Sequence, residues 1–462
     1  MIRLLRQERG IALPMVAAII AIITILGLSS TYLVDSQGTM GAQYAGGERA
    51  LYFAEAGVYK YLWHLNKDSR YYAKPEDEKT EDEARLGVDT PFQDGYYRLE
   101  VDPPSTEIPV VTIRCTGWAA SSPANRRTIE VKAHKRQFVQ QIYGSNGEET
   151  ARGEPVWWIT GDEVWGPLHT NGTLNIDGDP RFHGRVTYSV ALNVRPGSNP
   201  YYEAGPPEKV NTLGFPPSNS QLMLQAKYNG YYYEGRTSIL LDGSQVKIWN
   251  NGVTQTRPLP ANGVIYVNGR TGSDKWGLDM GNAFVSGTLD GRLTIAAVND
   301  IYITAKDPTN LNYDSARVTG GILYANPDFD PPGGITDDML GLVANRYVRI
   351  LHYGWFGSYP SHRDVAPQNI TIHAAIFALN WSYEFESYDT GSLKGVITLC
   401  GSTTQKYRGA VGTFDSWSGE RLTGYNKHYT YDPRMLYDMP PHFLEPVNAG
   451  WEIVTWREIP SP

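Results

Sequence analysis

The sequence predicts a mainly β protein that begins with one long α-helix. Its 462 residues include 47 Gly, 30 Pro, 31 Tyr and 12 Trp, and only 19% are charged. This composition favours strands and turns over helices. The exception is the N-terminal part, residues 11–66, where an apolar run is followed by apolar residues at helical spacing. A hydrophobic fraction of 41% excludes a wholly disordered chain.

The N-terminal apolar run is long enough to cross a membrane. The segment from Ile11 to Leu28 contains no charged residue, and at 1.5 Å per residue it reaches about 27 Å, close to the thickness of a bilayer core. Arg3, Arg6 and Arg9 precede it and hold the N-terminus in the cytoplasm. The alternative is a cleaved secretory signal, but the run is long and no small-x-small cleavage site follows. We therefore expect a retained membrane span.

The helix is expected to continue beyond the span as an amphipathic segment up to residue 66. Apolar residues recur here at intervals of 3, 4, 4 and 3, namely Leu51, Ala54, Val58, Leu62 and Leu65. This spacing places them on one face of a helix. A plain anchor needs only the span, so the second half indicates packing against a folded domain.

The N-terminal motifs resemble those of type IV pilin-like proteins, in particular the PilX-like minor pilins. The matching segments are RGIALPM before the apolar run and ALYFAEAGVYKYL after it. The resemblance implies a leader over residues 1–10, cleavage by a prepilin peptidase after Gly10, and a mature N-terminus at Ile11. It also implies that the helix over 11–66 is held in the inner membrane as a single pass and then packs with other pilins in a fibre on the cell surface.

One position departs from that family. Its fifth mature residue is usually a glutamate that neutralises the terminal amine of a neighbouring subunit, and here it is Met15. A buried amine without a partner is unfavourable, so a subunit lacking the carboxylate fits the end of a fibre better than its middle. The resemblance therefore implies a minor pilin at the tip, which primes assembly and presents an adhesive surface.

A small β head is predicted over residues 67–140. GYYRLEV, VVTIRCTGWA and RRTIEVKAHKRQF alternate as strands, as expected for a pilin-like head behind its helix. The one clearly basic stretch of this head comprises Arg126, Arg127, Lys132, Lys135 and Arg136. Alternation divides them between two faces, so a solvated strand edge is favoured over a nucleic-acid site. The net charge of −8 also disfavours DNA binding.

The remaining chain is predicted to be β throughout. Residues 141–259 form a turn-rich β region, and residues 260–420 carry an imperfect repeat in which Ile301–Ile303 recurs as Val348–Ile350 and Ile370–Ile372. The separations of 47 and 22 suit coils of 22 to 24 residues and predict a β-solenoid-like domain, with a β-sandwich as the alternative. Residues 421–462 are expected to pack on this domain.

The β region also resembles a family of large bacterial pilin-like proteins. The shared features are a WGPLHTNG-like segment, here Trp165 to Gly172, and a C-terminal Pro440-Pro441 pair before the strand GWEIVTWREI. This second resemblance implies an architecture and a location on the cell, and it implies no ligand.

Few residues suggest chemistry. His169 with Asp162 and Glu163 has the residue types of acid–base or metal sites, but its neighbours are turn residues and favour a structural histidine. No phosphate loop, nucleophile elbow or CxxC is found. We therefore predict no catalytic residues and no enzyme. Cys115 and Cys400 are expected to be unpaired and buried.

No cofactor or metal is predicted, with calcium on the surface left open. The oxygen donors of the type that calcium prefers are Asp177, Asp179, Asp328 and Asp330. Neither pair has the spacing of a known calcium loop.

Aromatic segments are the best sequence indication of a binding surface. The candidates are Tyr231, Tyr232, Tyr233, Trp355, Phe356 and Tyr359. Such rings stack on glycans, bases and protein partners alike, and packing within the β domain is the structural alternative. The functional alternatives to an adhesive minor pilin are a DNA-uptake receptor subunit and a surface-anchored carbohydrate-active protein.

Overall fold

The computed structural model describes residues 12–68, 71–80, 82–104, 110–305, 307–309, 320–327, 336–356, 359–415, 420–436, 438–448 and 450–461. They divide into two compact units. Unit 1 comprises the chain up to His134 together with Gly450–Pro462, and unit 2 comprises Lys135–Ala449. The predicted class, mainly β with one long N-terminal helix, is confirmed.

The helices are α1 (Ala12–Lys67) and α2 (Ser220–Asn229), with short 3-10 turns at Tyr71–Ala73, Glu76–Glu78, Phe138–Gln140 and Pro433–Leu436. The strands are β1 (Thr90–Phe92), β2 (Gly95–Asp102), β3 (Val110–Ala119), β4 (Arg127–Lys135), β5 (Tyr143–Gly147), β6 (Trp158–Ile159), β7 (Glu163–Val164), β8 (Leu168–Thr170), β9 (Leu174–Asp177), β10 (Arg181–Phe182), β11 (Val186–Tyr188), β12 (Leu192–Val194), β13 (Tyr201–Tyr202), β14 (Glu208–Lys209), β15 (Tyr231–Glu234), β16 (Thr237–Gly243), β17 (Gln245–Asn250), β18 (Val253–Pro258), β19 (Val264–Asn268), β20 (Ala283–Leu289), β21 (Arg292–Ala297), β22 (Ile301–Ile303), β23 (Gly320–Tyr324), β24 (Met339–Ala344), β25 (Val348–Ile350), β26 (Tyr353–Phe356), β27 (Tyr359–Asp364), β28 (Ile370–Ala378), β29 (Tyr383–Phe385), β30 (Leu393–Tyr407), β31 (Gly412–Phe414), β32 (Arg421–Tyr431) and β33 (Trp451–Ile459).

Unit 1 packs the second half of α1 on an antiparallel sheet. The sheet order is β1-β2-β3-β4-β33, and α1 contacts β2 and β3. The predicted apolar face is buried at Ala54, Val58, Leu62 and Leu65, and it shares one core with the inner residues of β2, β3 and β4. Leu51 is half-buried at the edge of this core. The 3.6-residue period of the helix and the two-residue period of the strands thus meet at one interface.

Glycine lets the helix lie directly on the sheet. Gly117 of β3 faces the backbone of α1, and a Cβ there would overlap the Ala50 carbonyl oxygen and the Ala54 amide nitrogen. On the helix side, Gly57 lies against the Cys115 sulfur and the Tyr97 ring. Gly117 is therefore restricted to glycine by the close approach of two backbones, and Gly57 by the packing of two side chains against the helix.

Residues 421–462 were expected to pack on the β domain, but the C-terminal strand belongs to unit 1. Strand β33 lies beside β4, and the Trp451 amide donates to the Asn66 side chain at 2.8 Å. Arg457 Nε donates to Glu130 Oε1 at 2.9 Å. Only residues up to 449 of that segment fall in unit 2. The GWEIVTWREI pattern predicted a strand, but its partner strand lies more than 300 residues earlier, beyond the reach of local patterning.

Unit 2 is built from parallel ladders of short strands. The longest runs β15-β19-β21-β24-β28-β30-β5-β8-β11-β14, and every pairing in it is parallel. A second ladder runs β16-β20-β22-β25-β29. A third runs through the second half of β20 to β23, β28, β30 and β32. β-Sandwiches are built from antiparallel sheets, so these ladders disfavour that alternative.

The predicted repeat is correct in one step and wrong in the other. Ile301–Ile303 does pair with Val348–Ile350. Val348 then pairs with Tyr383, whereas Ile370 lies in the third ladder between Gly320 and Ile397. The successive partners Ile301, Val348 and Tyr383 are 47 and 35 residues apart, so the coils are longer and less regular than 22 to 24. Loops of unequal length between strands erase a fixed period.

The order of strands in the stack differs from their order in the chain. Strand β30 is followed by β5, where Thr403 pairs with Tyr143, so the first coils of unit 2 stack after its last ones. The chain then crosses the stack from β14 to β15. In this crossing Phe215 lies 5.0 Å from Phe138 and 5.2 Å from Phe377, measured between ring centres. Asn219 also donates to the Ala297 carbonyl at 2.9 Å.

Candidate functional site

The first half of α1 presents a continuous run of exposed apolar side chains. Its large apolar side chains from Met15 to Val34 are between 49% and 77% exposed, in contrast to the buried face after Ala50. The described residues contain one helix long and apolar enough to cross a membrane. Met15 and Leu28 lie on this surface, while Gly10 and Ile11, the predicted processing site, lie outside the described residues.

The aromatic candidates in β15 are held by neighbouring side chains. The Arg257 guanidinium lies 3.7 Å from the Tyr231 ring centre, and the Tyr232 ring stacks parallel to Tyr266. The Tyr233 hydroxyl accepts a bond from Arg257 at 3.4 Å. All three tyrosines are half-buried, which favours the structural interpretation of this segment.

The other aromatic candidates are Trp355, Phe356 and Tyr359. Their backbone forms part of the hairpin of β26 and β27, but their side chains lie outside the described residues. Their role in binding stays a prediction.

The basic stretch of unit 1 and the start of unit 2 is partly engaged by contacts within the chain. Four of its five side chains have partners: Arg126 lies over the Trp118 ring, Arg127 bonds Glu458, Lys135 bonds Glu445, and Arg136 donates to the Asn211 carbonyl. Carboxylates pair with two of the five, Arg127 and Lys135, which lowers the net positive charge of the stretch. That this stretch is no nucleic-acid site stays a prediction, based on the alternation that divides its charges between two faces of the strand.

His169 is a buried structural residue. It is 2% exposed, and its ring nitrogens bond the Thr187 hydroxyl and the Asn171 side chain at 2.9 Å each. Burial lowers the pKa of His169 to about 4, so the ring is neutral at physiological pH. Asp162 and Glu163, its expected partners, bond other residues.

Glu163 instead contacts His183, a relation the spacing did not suggest. His183 Nε2 lies 2.8 Å from Glu163 Oε1, and Nδ1 lies 2.6 Å from Glu203 Oε2. Its ring stacks on Trp165 at 3.6 Å. Burial lowers the pKa of His183, but the two carboxylates outweigh that effect and raise it overall. The His183 ring thereby links the rungs of β7, β10 and β13, with a carboxylate at each ring nitrogen.

The candidate calcium ligands also have protein partners or lie outside the description. Asp177 accepts a bond from Arg195 at 2.5 Å, and Asp179 accepts one from the Asn199 amide at 2.9 Å. Asp328 and Asp330 lie outside the described residues. In the described part of the chain, no group of three or more His, Cys, Asp or Glu side chains is arranged to hold a metal ion.

A buried carboxylate marks the place where β30 meets β5. The Glu148 side chain is fully buried and accepts four bonds. Its donors are the Tyr143 hydroxyl at 2.9 Å, the Ser145 hydroxyl, the Trp158 indole at 3.0 Å and Arg408 at 3.5 Å. Full satisfaction of this kind is what makes a buried charge tolerable.

Arg408 completes this network. Its guanidinium lies 3.8 Å from the Trp158 ring centre and donates to the Trp157 carbonyl at 3.2 Å. A second nitrogen lies 3.6 Å from Asp162. Residues from the start and the end of unit 2 therefore meet around one ion pair, which we call the seam. No sequence signal identified it, because its two sides lie 260 positions apart.

A cavity of about 580 Å³ lies at the C-terminal end of α1. Its lining combines aromatic and charged side chains: Trp63, His64, Lys67, Asp68, Tyr71, Lys74, Asp82 and Glu83. Lys74 and Glu83 pair at 2.8 Å, and Lys67 lies over the Trp63 ring. With both signs of charge represented, the lining favours neither anionic nor cationic ligands.

No family model and no curated protein matches the chain. Among solved structures, the competence-associated pilin ComZ from Thermus thermophilus is similar over 90% of this chain and 97% of its own, with 11% identity and a TM-score of 0.29. An overlap this loose assigns no function. The functional conclusion below therefore rests on the geometry of α1 and of the two units.

Both cysteines are free and buried, as predicted. Cys115 belongs to the core of unit 1, and Cys400 lies in β30 of unit 2. Burial raises the pKa of the Cys400 thiol to about 12, which suppresses the reactive thiolate.

Proposed function

We propose that this chain is a minor pilin-like subunit that assembles through the exposed half of α1 and carries unit 2 as its presented domain. One observation carries the proposal: a single continuous helix is packed on a sheet after residue 50, whereas its segment from Met15 to Val34 is apolar and exposed. Apolar surface of this extent is covered in the working state by lipid or by other subunits. The proposal includes no catalytic step.

In this proposal the subunit is first held in the inner membrane, is processed at Gly10 by a prepilin peptidase, and is then packed against other pilins through the segment from Ile11 to Leu28. The two-unit division supports it, because unit 2 is inserted between β4 and β33 and leaves the helix and head intact. The internal pairing of the basic stretch disfavours the alternative of a DNA-uptake receptor.

The membrane part of the proposal is tested by placing charge in the span. Ile20→Lys combined with Ile23→Lys is expected to shift the protein from the membrane pellet to the soluble fraction. Each lysine near the centre of a span costs about 2.5 to 3.5 kcal/mol of insertion free energy, and both positions are exposed. Gln37→Lys, an exposed position beyond the span, is the control and should stay in the pellet. A double variant that still pellets with intact bilayers would contradict the membrane role.

We further propose that the subunit lies at the fibre tip, where it primes assembly and offers an adhesive surface. Met15, where the family has glutamate, supplies no carboxylate for a neighbour's terminal amine. An unpaired buried charge of this kind is unfavourable by about 3 to 5 kcal/mol, and an end position avoids it. The bulk of unit 2 also disfavours repetition at every step of a thin filament.

Immunogold labelling of intact filaments tests the tip position. We expect label at one end only, fewer or shorter filaments in a deletion strain, and redistribution of label into the shaft for Met15→Glu. Label along the whole shaft of the unaltered protein would contradict the tip assignment while leaving the subunit a pilin. Absence of label from filaments altogether would contradict the pilin assignment itself.

A further inference from the structure

The strand stack of unit 2 ends in a coil whose core positions are open. Leu192 and Val194 of β12 pair with Leu174 and Ile176 of β9, and both β9 residues are completely buried. In the last coil the equivalent residues are 37% and 39% exposed. These side chains occupy the same column as a buried core, yet nothing described stacks on them.

A second column of the stack ends in the half-buried Tyr202. Tyr202 of β13 stacks on the buried Phe182 at 5.4 Å between ring centres. Its hydroxyl is buried and has no hydrogen-bond partner among the described residues. Val190 and Tyr201 extend the apolar surface, at 56% and 52% exposure. We call Val190, Leu192, Val194, Tyr201 and Tyr202 the open end.

Strand edges without a pairing partner lie at the same end of the stack. Strands β12 and β13 pair on one side with β9 and β10, and each is an edge strand of its three-stranded sheet among the described residues. The opposite end of the stack differs. There β17 and β18 add an antiparallel hairpin to β16, and Val246 and Ile248 of β17 are buried. Repeat stacks need such a cap, and unpaired edges are templates for further strands.

We propose that the open end docks against the same end of a second copy of this chain. A two-fold axis makes the facing strands antiparallel. With the axis through Asn193 of β12, Leu192 of one copy lies opposite Val194 of the other, so each apolar row covers an apolar row. The free strand edges supply main-chain hydrogen bonds across the interface.

The charges around the open end are compatible with self-association. Arg195 pairs with Asp177 at 2.5 Å, and Arg185 pairs with Glu208 at 2.7 Å. Since both signs are present and paired within one chain, two identical ends do not repel each other. The same balance disfavours a strongly charged partner such as a nucleic acid.

A cysteine at the proposed axis tests this docking in the full-length chain in detergent. Asn193 is exposed, and the native Cys115 and Cys400 are buried. Asn193→Cys is expected to form a disulfide-linked dimer under mild oxidation, because the two positions face each other across the axis. Thr254→Cys, on the exposed β18 at the capped end, is the matched control and should stay monomeric. Dimers in both variants would indicate association through α1 and would overturn the proposal, without affecting the pilin assignment.

A charge in the open end provides the second test. Val194→Lys, in the Asn193→Cys background, is expected to lower the dimer yield about tenfold or more. A tenfold loss corresponds to about 1.4 kcal/mol of association free energy. Its melting temperature should be unchanged, because the lysine remains in water in the free chain. Ile176→Lys, one rung deeper in the same column, should unfold the coil. Unchanged dimer yield for Val194→Lys would overturn the proposal. So would a large loss of stability, since it would show that another part of the same chain covers the end.

Discussion

Replacing Gly117 by valine is expected to release the second half of α1 from the sheet of unit 1. The added Cβ would overlap the backbone of α1 at Ala50 and Ala54, and backbone atoms within a helix cannot move aside as a side chain can. Overpacking of this kind typically destabilises by about 1 to 3 kcal/mol. Since the helix core at Phe53 and Val58 depends on this approach, its loss should expose the whole apolar face.

Hydrogen exchange of residues 50–65 in the full-length protein measures this effect. We expect loss of protection there in Gly117→Val, with unit 2 unaffected. Thr112→Val is the matched control, because it adds no bulk toward α1 and its position on the same strand is half-buried. Unchanged protection in Gly117→Val would show that the helix lies farther from β3 than the structure places it.

Breaking the seam is expected to be the largest single-residue effect in unit 2. Arg408→Met leaves the fully buried Glu148 carboxylate without its cation, and removal of one partner from a buried ion pair costs about 3 to 5 kcal/mol. The hydrogen bonds that Tyr143 and Trp158 donate to Glu148 remain. The loss of stability therefore comes from the missing positive charge. The free energy of unfolding of unit 2 in urea measures it.

A double-mutant cycle separates the seam from general core damage. Arg408→Met with Glu148→Gln is expected to be less destabilised than the sum of the single variants by about 1 to 3 kcal/mol, because the charge left unpaired by the first change is removed by the second. Arg270→Met, which breaks an exposed pair with Asp279, should cost at most about 1 kcal/mol. Strict additivity at the seam would mean that the two side chains do not interact.

The helical part was the most predictable from sequence. The apolar period at Leu51, Ala54, Val58, Leu62 and Leu65 is local, and so is the charge-free run before it. Both depend on residues three or four positions apart, so no tertiary information is needed to place them on one helix. The burial of the apolar face at residues 51–65 and the exposure of the charge-free run before it agree with this local pattern.

The candidate sites were less predictable because their partners are distant in the chain. Glu163 was considered together with His169, six positions away, and the sequence favoured a structural histidine there; it gave no indication that Glu163 bonds His183 of the next rung. Arg408 carries no local signal at all, and its partner Glu148 lies at the other end of unit 2. In a stack of parallel strands, neighbours on one face are a whole coil apart in the chain, and the coil length is set by loops of unequal size.

Composition, period and turn chemistry were therefore sufficient for the class of the protein, for its membrane-length helix and for the strands of its β region. These features depend on single residues or on residues a few positions apart, so they can be read without knowing the tertiary structure. The tertiary structure alone decided that β33 returns to the sheet of unit 1, that β5 stacks after β30, and that β12 and β13 lie at the edges of their sheets. These outcomes depend on which strand edges and apolar rows meet when the chain closes. Because every parallel strand offers nearly the same hydrogen-bonding edge, the pairing partners are determined only by the packing of the complete fold.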